Sequence, residues 1–216
     1  MLEGIRFAAG IYGVPVVGGH LTIWDGSPSV SASIVGRVQR PLSSSNVAPG
    51  HTLLAAFCLE GKVRSDFPFL SSIRERAGRL ADDFGLLPGL AEAGLVESAK
   101  DVSMAGTLGS LAMLLEPSGC GALVDLERVP GPAGVSLAAW VSFFPTYGFL
   151  MTSLPENARV VREQFLERGL ACDAIGTVDD SGRLRAGFSG EESELLDLNT
   201  QTVTGLNPPP PDGPAG

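Results

Sequence analysis

The feature that most constrains the fold is the run from residue 147 to residue 178. Residues 147–153 are a short apolar stretch, 155–169 carry Val160, Val161, Phe165 and Leu166 on one helical face, and 173–178 are apolar again. Pro155 suits the first turn of a helix, where its missing N–H costs nothing, and Gly169 suits the stop. Strand, helix, strand is therefore expected, and the chain falls in the α/β (α+β) class. Further strand-like runs lie at 52–59, 121–126 and 183–188, the last after the hairpin turn Asp179-Asp180-Ser181-Gly182.

Helical spacing recurs elsewhere. Leu2, Ile5, Ala9 and Tyr12 predict a helix ending at Gly13. Ile73, Ala77, Leu80 and Phe84 predict an amphipathic helix over 71–84, with Arg74, Glu75, Arg76, Arg79, Asp82 and Asp83 on its solvated face. A second short helix is expected over 86–96, broken near Pro88, and 134–144 fits helix or strand, with helix favoured. Residues 14–17 read as a short buried strand and 29–38, where small polar and apolar residues alternate, as a half-buried one. The polar, turn-rich stretch 40–50 reads as a flexible inter-domain connection with a boundary near residue 48. From Asn199 onward, ending in Pro208-Pro209-Pro210-Pro211, a disordered tail is expected.

Composition narrows the function classes. A net charge of −9 argues against nucleic acid as a partner, because binding a phosphate backbone rests on clustered Lys and Arg. The apolar runs are broken by Gly, Pro or Ser before they reach membrane-spanning length, and the first residues lack the pattern of a signal peptide. No membrane association and a cytoplasmic location follow as expectations. Cys58, Cys120 and Cys172 have neither zinc spacing nor an even count, so buried free thiols are expected.

Residues 99–115 hold the main chemical candidate. Asp101 precedes a turn of small residues, which opens an apolar helical run. Unpaired N–H groups at a helix start can hold a phosphate or carboxylate, and Mg²⁺ between that anion and Asp101 would relieve their repulsion. In the alternative reading Ser103 caps an ordinary helix, and Gly106 and Gly109 only permit close packing. Both readings stand on these residues alone.

Four stretches in order, VPVVGGHLT (14–22), VAPGHTLL (47–54), KDVSMAGTL (100–108) and LEPSGCGA (115–122), resemble the AIR synthase superfamily. That superfamily includes aminoimidazole ribonucleotide synthetase, thiamine-monophosphate kinase, selenophosphate synthetase and the hydrogenase maturation dehydratase; the match is to its AIR synthase-related branch. The specificity lies in their order and spacing, and the resemblance covers residues 1 to about 190.

The resemblance implies an AIR synthase-like C-terminal α/β domain over 48–198, preceded by a remnant of the N-terminal domain over 1–47, its last helix and strands, and followed by the tail 199–216. It implies ATP and Mg²⁺ as cofactors and phosphoryl transfer to, or activation of, a small-molecule substrate. Asp101 matches the family's metal-contacting acid, and Gly18, Gly19 and His20 match its turn near the phosphates. Ser103 and Gly106 join them as cofactor-binding candidates through the helix start; no catalytic residue is assigned. A homodimer or association with another chain is implied as well.

Two departures qualify this. The carboxylate-rich early part of the N-terminal domain does not match, so half of the nucleotide site is expected from outside this chain, and a non-catalytic binding or assembly subunit is the alternative. Phe144-Pro145-Thr146-Tyr147-Gly148 stands where thiamine-monophosphate kinases carry a glycine-rich acidic segment, which argues against that activity.

Overall fold

The computed structural model describes residues 1–206. Helix α1 (Leu2–Tyr12) ends where Gly13 turns left-handed at φ 64°, as the spacing predicts. The centre of the fold is β1 (Thr52–Phe57), whose last five residues are buried. The small strands β2 (Lys62–Val63) and β3 (Phe69–Ser71) follow, then α2 (Leu80–Glu92), β4 (Ser98–Asp101), α3 (Gly106–Leu115) and β5 (Gly121–Asp125). After these come α4 (Leu137–Trp140), β6 (Phe144–Pro145), β7 (Gly148–Ser153), α5 (Pro155–Glu167), β8 (Ala171–Asp179), β9 (Arg183–Phe188) and β10 (Glu191–Asp197).

Seven strands form one sheet in the order β10-β9-β5-β8-β1-β7-β4, and β2, β3 and β6 form a smaller one. In the large sheet only β5 and β9 run parallel as neighbours. Both β7 and β8 pair antiparallel with β1, so α5 joins two parallel strands with β1 seated between them. Alternation along β1 builds two cores. Leu53, Ala55 and Phe57 join Leu111, Leu114 and Leu115 of α3 with Trp140; Leu54, Ala56 and Cys58 join Leu86, Leu90, Val161 and Phe165 of α2 and α5. Each fully buried Leu or Phe contributes about 1.5–3 kcal/mol.

The helix expected over 71–84 is corrected by a buried cation. Arg76, 1% exposed, donates to both Asp83 carboxylate oxygens at 2.6 and 3.2 Å, to Glu60 at 2.7 Å and to the Arg168 carbonyl at 2.5 Å. Turns occupy 73–79, and α2 starts only at Leu80. Arg76 and Asp83 are thus interior groups, stable there because each satisfies the other. Pro88 lies inside α2, which runs through the expected break. Residues 134–144 give only the single turn of α4.

The strands expected at 14–17 and 29–38 are not formed. All residues 14–38 are exposed, and 15–39 make no hydrogen bond among the described residues. An alternating pattern makes a strand only beside another strand, and none lies alongside here.

The connection and the tail are both fastened. Arg40 pairs with Glu97 at 3.0 Å, Ser98 Oγ donates to the Ser43 carbonyl at 2.7 Å and Ser118 Oγ to the Ser44 carbonyl at 2.6 Å. Val47 is buried, and Cys120 Sγ lies 3.6 Å from its carbonyl. The stretch 40–47 is therefore anchored, which corrects the expected flexible connection. At the other end, residues 199–201 turn on Asp197 and Ser181, and residues 203–205 are held by the buried Glu116 carboxylate. It accepts from the N–H groups of Val203 (2.8 Å), Thr204 (2.7 Å) and Gly205 (3.4 Å) and from Thr204 Oγ1. The tail expectation is corrected over 199–206; the proline run lies outside the described residues.

Candidate functional site

Edge strand β4 pairs only with β7 and carries Asp101 at its last position, opposite Phe149. The Asp101 side chain is 61% exposed. Lys100 Nζ donates to its carboxylate and, at 3.1 Å, to its carbonyl. An exposed carboxylate beside a lysine is a mixed acid and cation pair at the open end of a strand. Mg²⁺ commonly takes one or two carboxylates and completes its shell with phosphate oxygens and water. Asp101 is one exposed carboxylate of that kind, held here by Lys100. Among the described residues no three His, Cys, Asp or Glu gather into a group that could hold a metal ion.

The helix start is less open than the spacing suggests. Gly106 adopts φ 67°, and a Cβ there would lie 2.2 Å from the Val141 carbonyl oxygen, so glycine is needed for both conformation and space. Its N–H donates to the Ser103 carbonyl at 2.8 Å, and the Thr107 N–H donates to Val141 at 2.8 Å. Ser103 N–H in turn donates to Ser110 Oγ at 3.2 Å. These three donors are spent within the chain, so in this arrangement Ser103 and Gly106 shape the loop. The Ser103 cap of the alternative reading is absent, since α3 has no side-chain cap, whereas the close packing it expected at Gly106 and Gly109 is present.

Gly18, Gly19 and His20 lie in the exposed ribbon 14–38 and make no hydrogen bond to the Asp101 loop. Asp101, Ser103 and Gly106, by contrast, share one loop at the end of β4. All three cysteines are free and buried, as expected. Burial, with Asp173 beside it, pushes the Cys172 thiol up to about 12, and burial also raises Cys120, so neither is poised as a nucleophile.

Lys100, Glu116 and Arg76 escaped the sequence reading as site or framework residues. Only Lys100 had a local signal, its adjacency to Asp101. Burial would by itself raise the Glu116 carboxyl, but the hydrogen bonds from Thr204 Oγ1 and three N–H groups outweigh it and hold it below its ordinary value.

A profile of the family described as AIR synthase related protein, C-terminal domain, matches residues 76–189. An uncharacterised protein of Synechocystis sp. is 33% identical over 205 residues, covering 94% of this chain and 64% of its own length. One from Methanocaldococcus jannaschii is 29% identical, covering 95% and 64%. The chain thus spans somewhat under two thirds of these relatives. Among solved structures, Thermotoga maritima PurL complexed with ADP shares the fold at TM-score 0.58 and 21% identity, over 79% of this chain and 28% of that one. Hydrogenase maturation protein HypE in complex with ATP does so at 0.54 and 15%, over 76% and 54%. The fold also recurs in PurLQS of T. maritima (0.59; 17% identity; 81% and 30% covered) and in the HypE–HypF complex (0.51; 17% identity; 72% and 55% covered). No helix among the described residues is long and apolar enough to cross a membrane. By its sequence match and its mixed sheet, this chain belongs to the AIR synthase related family, with residues 76–189 matching that family's C-terminal domain.

Proposed function

We propose that this chain is part of an Mg²⁺-dependent, ATP-binding enzyme that transfers a phosphoryl group to a small molecule or activates it. The family match over 76–189 carries the reading, supported by the shared fold of neighbours solved with ADP and ATP. On this reading Asp101 is one ligand of Mg²⁺, and Lys100 offers the phosphates a nearby cation. Bound Mg²⁺ would supply charge neutralisation, which phosphoryl transfer needs more than a covalent protein group. Gly18, Gly19 and His20 would approach the phosphates from the ribbon. Residues 1–47 are then the end of an N-terminal domain and 48–198 the C-terminal domain, with 40–47 fastened to the latter.

Isothermal titration of ATP into the full-length gene product, with and without Mg²⁺, tests this. Mg²⁺-dependent binding is expected, and Asp101→Asn should weaken it about tenfold, the scale of one lost charged contact. No ATP binding in either condition overturns the reading; binding unchanged by Asp101→Asn removes that residue from the site.

The exposed ribbon favours a second reading. Val17, Ile23 and Val35 are each over 90% exposed, more bare apolar surface than a lone chain commonly carries in one segment. An assembly subunit pairing through residues 14–38, with a second copy or another chain, would cover it, and the neighbours' known complexes support this. Size-exclusion chromatography with light scattering distinguishes the cases, since a clean, non-aggregating monomer counts against self-pairing.

A further inference from the structure

The 3₁₀ turn Glu116–Ser118 closes α3 and carries two unrelated anchors within three residues. Its first residue, 1% exposed, takes four hydrogen bonds from residues 203–205. Its last donates to the Ser44 carbonyl at 2.6 Å, at the start of the stretch that leads into β1. Pro117 between them has a fixed φ, so the two anchors hold a rigid relation. A pocket opens at this junction. Its walls are Ser43–Ser45, Lys100 and Pro117 on the domain side and Thr204 and Leu206 on the other. The strap 199–206 thus forms a wall beside Lys100, the residue that holds Asp101.

A buried carboxylate has few stable states. With its donors in place it is satisfied; without them it is an unpaired charge in the interior, so the strap lies down as a unit or leaves as a unit. Leaving would disturb the turn that also grips residue 44.

We propose that Glu116–Ser118 is a latch that fastens the connector 43–47 and the strap 199–206 jointly, so that loosening either loosens the other and opens the pocket beside Lys100. The device is independent of what the protein binds. Coupling between two equilibria is reciprocal, and that reciprocity is the test.

Hydrogen exchange read by mass spectrometry on the full chain at neutral pH, in Glu116→Gln and Ser118→Ala, is the experiment. Glu116→Gln keeps the shape but turns an amide NH₂ toward N–H donors. Protection at 203–206 should fall roughly ten- to hundred-fold, the scale of charged hydrogen bonds, and protection at 43–47 should fall with it. Ser118→Ala should loosen 43–47 directly and 203–206 through the latch, with β1 and β8 unchanged in both. If each substitution loosens only its own segment, or neither, the latch is overturned. Loss of protection across β1 and β8 as well overturns it too, because that is general loosening. Should Glu116→Gln fail to fold, Thr204→Val at an exposed position removes the hydroxyl that donates to Glu116, together with the acceptor it offers the Leu206 N–H. A several-fold loss at both segments supports the latch, and a loss at 203–206 alone overturns it.

Discussion

The ribbon 14–38 and strand β1 are both rich in aliphatic residues, and they end in opposite states. In β1, Leu53 to Phe57 are wholly buried and pair on both sides with β7 and β8; in the ribbon, Val17 and Val35 stand 94% and 96% exposed. Local composition does not separate them. What separates them is partners, since a strand's apolar face lowers the free energy only when another surface covers it.

Four measurements would break or sharpen that contrast, taken from the largest effect to the smallest. Phe57→Ala, which removes a ring wedged edge-on against Trp140 at 5.4 Å, should cost about 3–5 kcal/mol in chemical denaturation. A cost under about 1 kcal/mol would mean that β1 is not the centre. On β7, Thr152 Oγ1 is buried with no hydrogen-bond partner among the described residues, so Thr152→Val should stabilise by about 1 kcal/mol. Destabilisation would reveal a partner for that hydroxyl.

The third measurement is pH. Glu116 is held below its ordinary value, and so is Asp179, where burial opposes but Ser181 and Arg185 prevail. A lowered carboxyl contributes stability above the unfolded-state value and loses it as the pH falls through the folded one. Stability should therefore hold from neutral pH down to the ordinary carboxylate range and decline below it, with strap protection declining together with the Glu116 titration. Decline already near pH 6 would contradict both assignments. Last, Val35→Ser in the ribbon should change domain stability by no more than about 0.5 kcal/mol. Its effect belongs in the oligomeric state, and a large fall in Tm would instead show the ribbon packed on the domain.

Most of the domain was legible because its signals are local. Residues 147–178 carried apolar runs, Pro155 and Gly169, and β7, α5 and β8 stand there. Arg76 was misread because its burial depends on Asp83, Glu60 and the Arg168 carbonyl, the last 92 positions away. Periodicity sees one helix face and no distant acceptor. Strand β10 drew no expectation because Glu191, Glu192 and Glu194 hide its pattern; those charges suit an exposed sheet edge, where they discourage pairing with other chains. At the candidate site Asp101 was legible from its loop. The closing of the helix start by Val141 was not, since that carbonyl comes from 34 positions beyond Thr107 and no motif marks it.

The central place of β1 also sets an order of events during synthesis. Its neighbours β7 and β8 come late in the chain, the first beginning at Gly148. The ribosome must add about 90 residues after Phe57 before any neighbour exists, on the order of 5–20 s at ordinary elongation rates. Through that interval the most apolar segment of the domain is finished but has nothing to pair with. A nascent chain of this architecture thus has a built-in window for chaperone capture, one that closes only when β7 emerges.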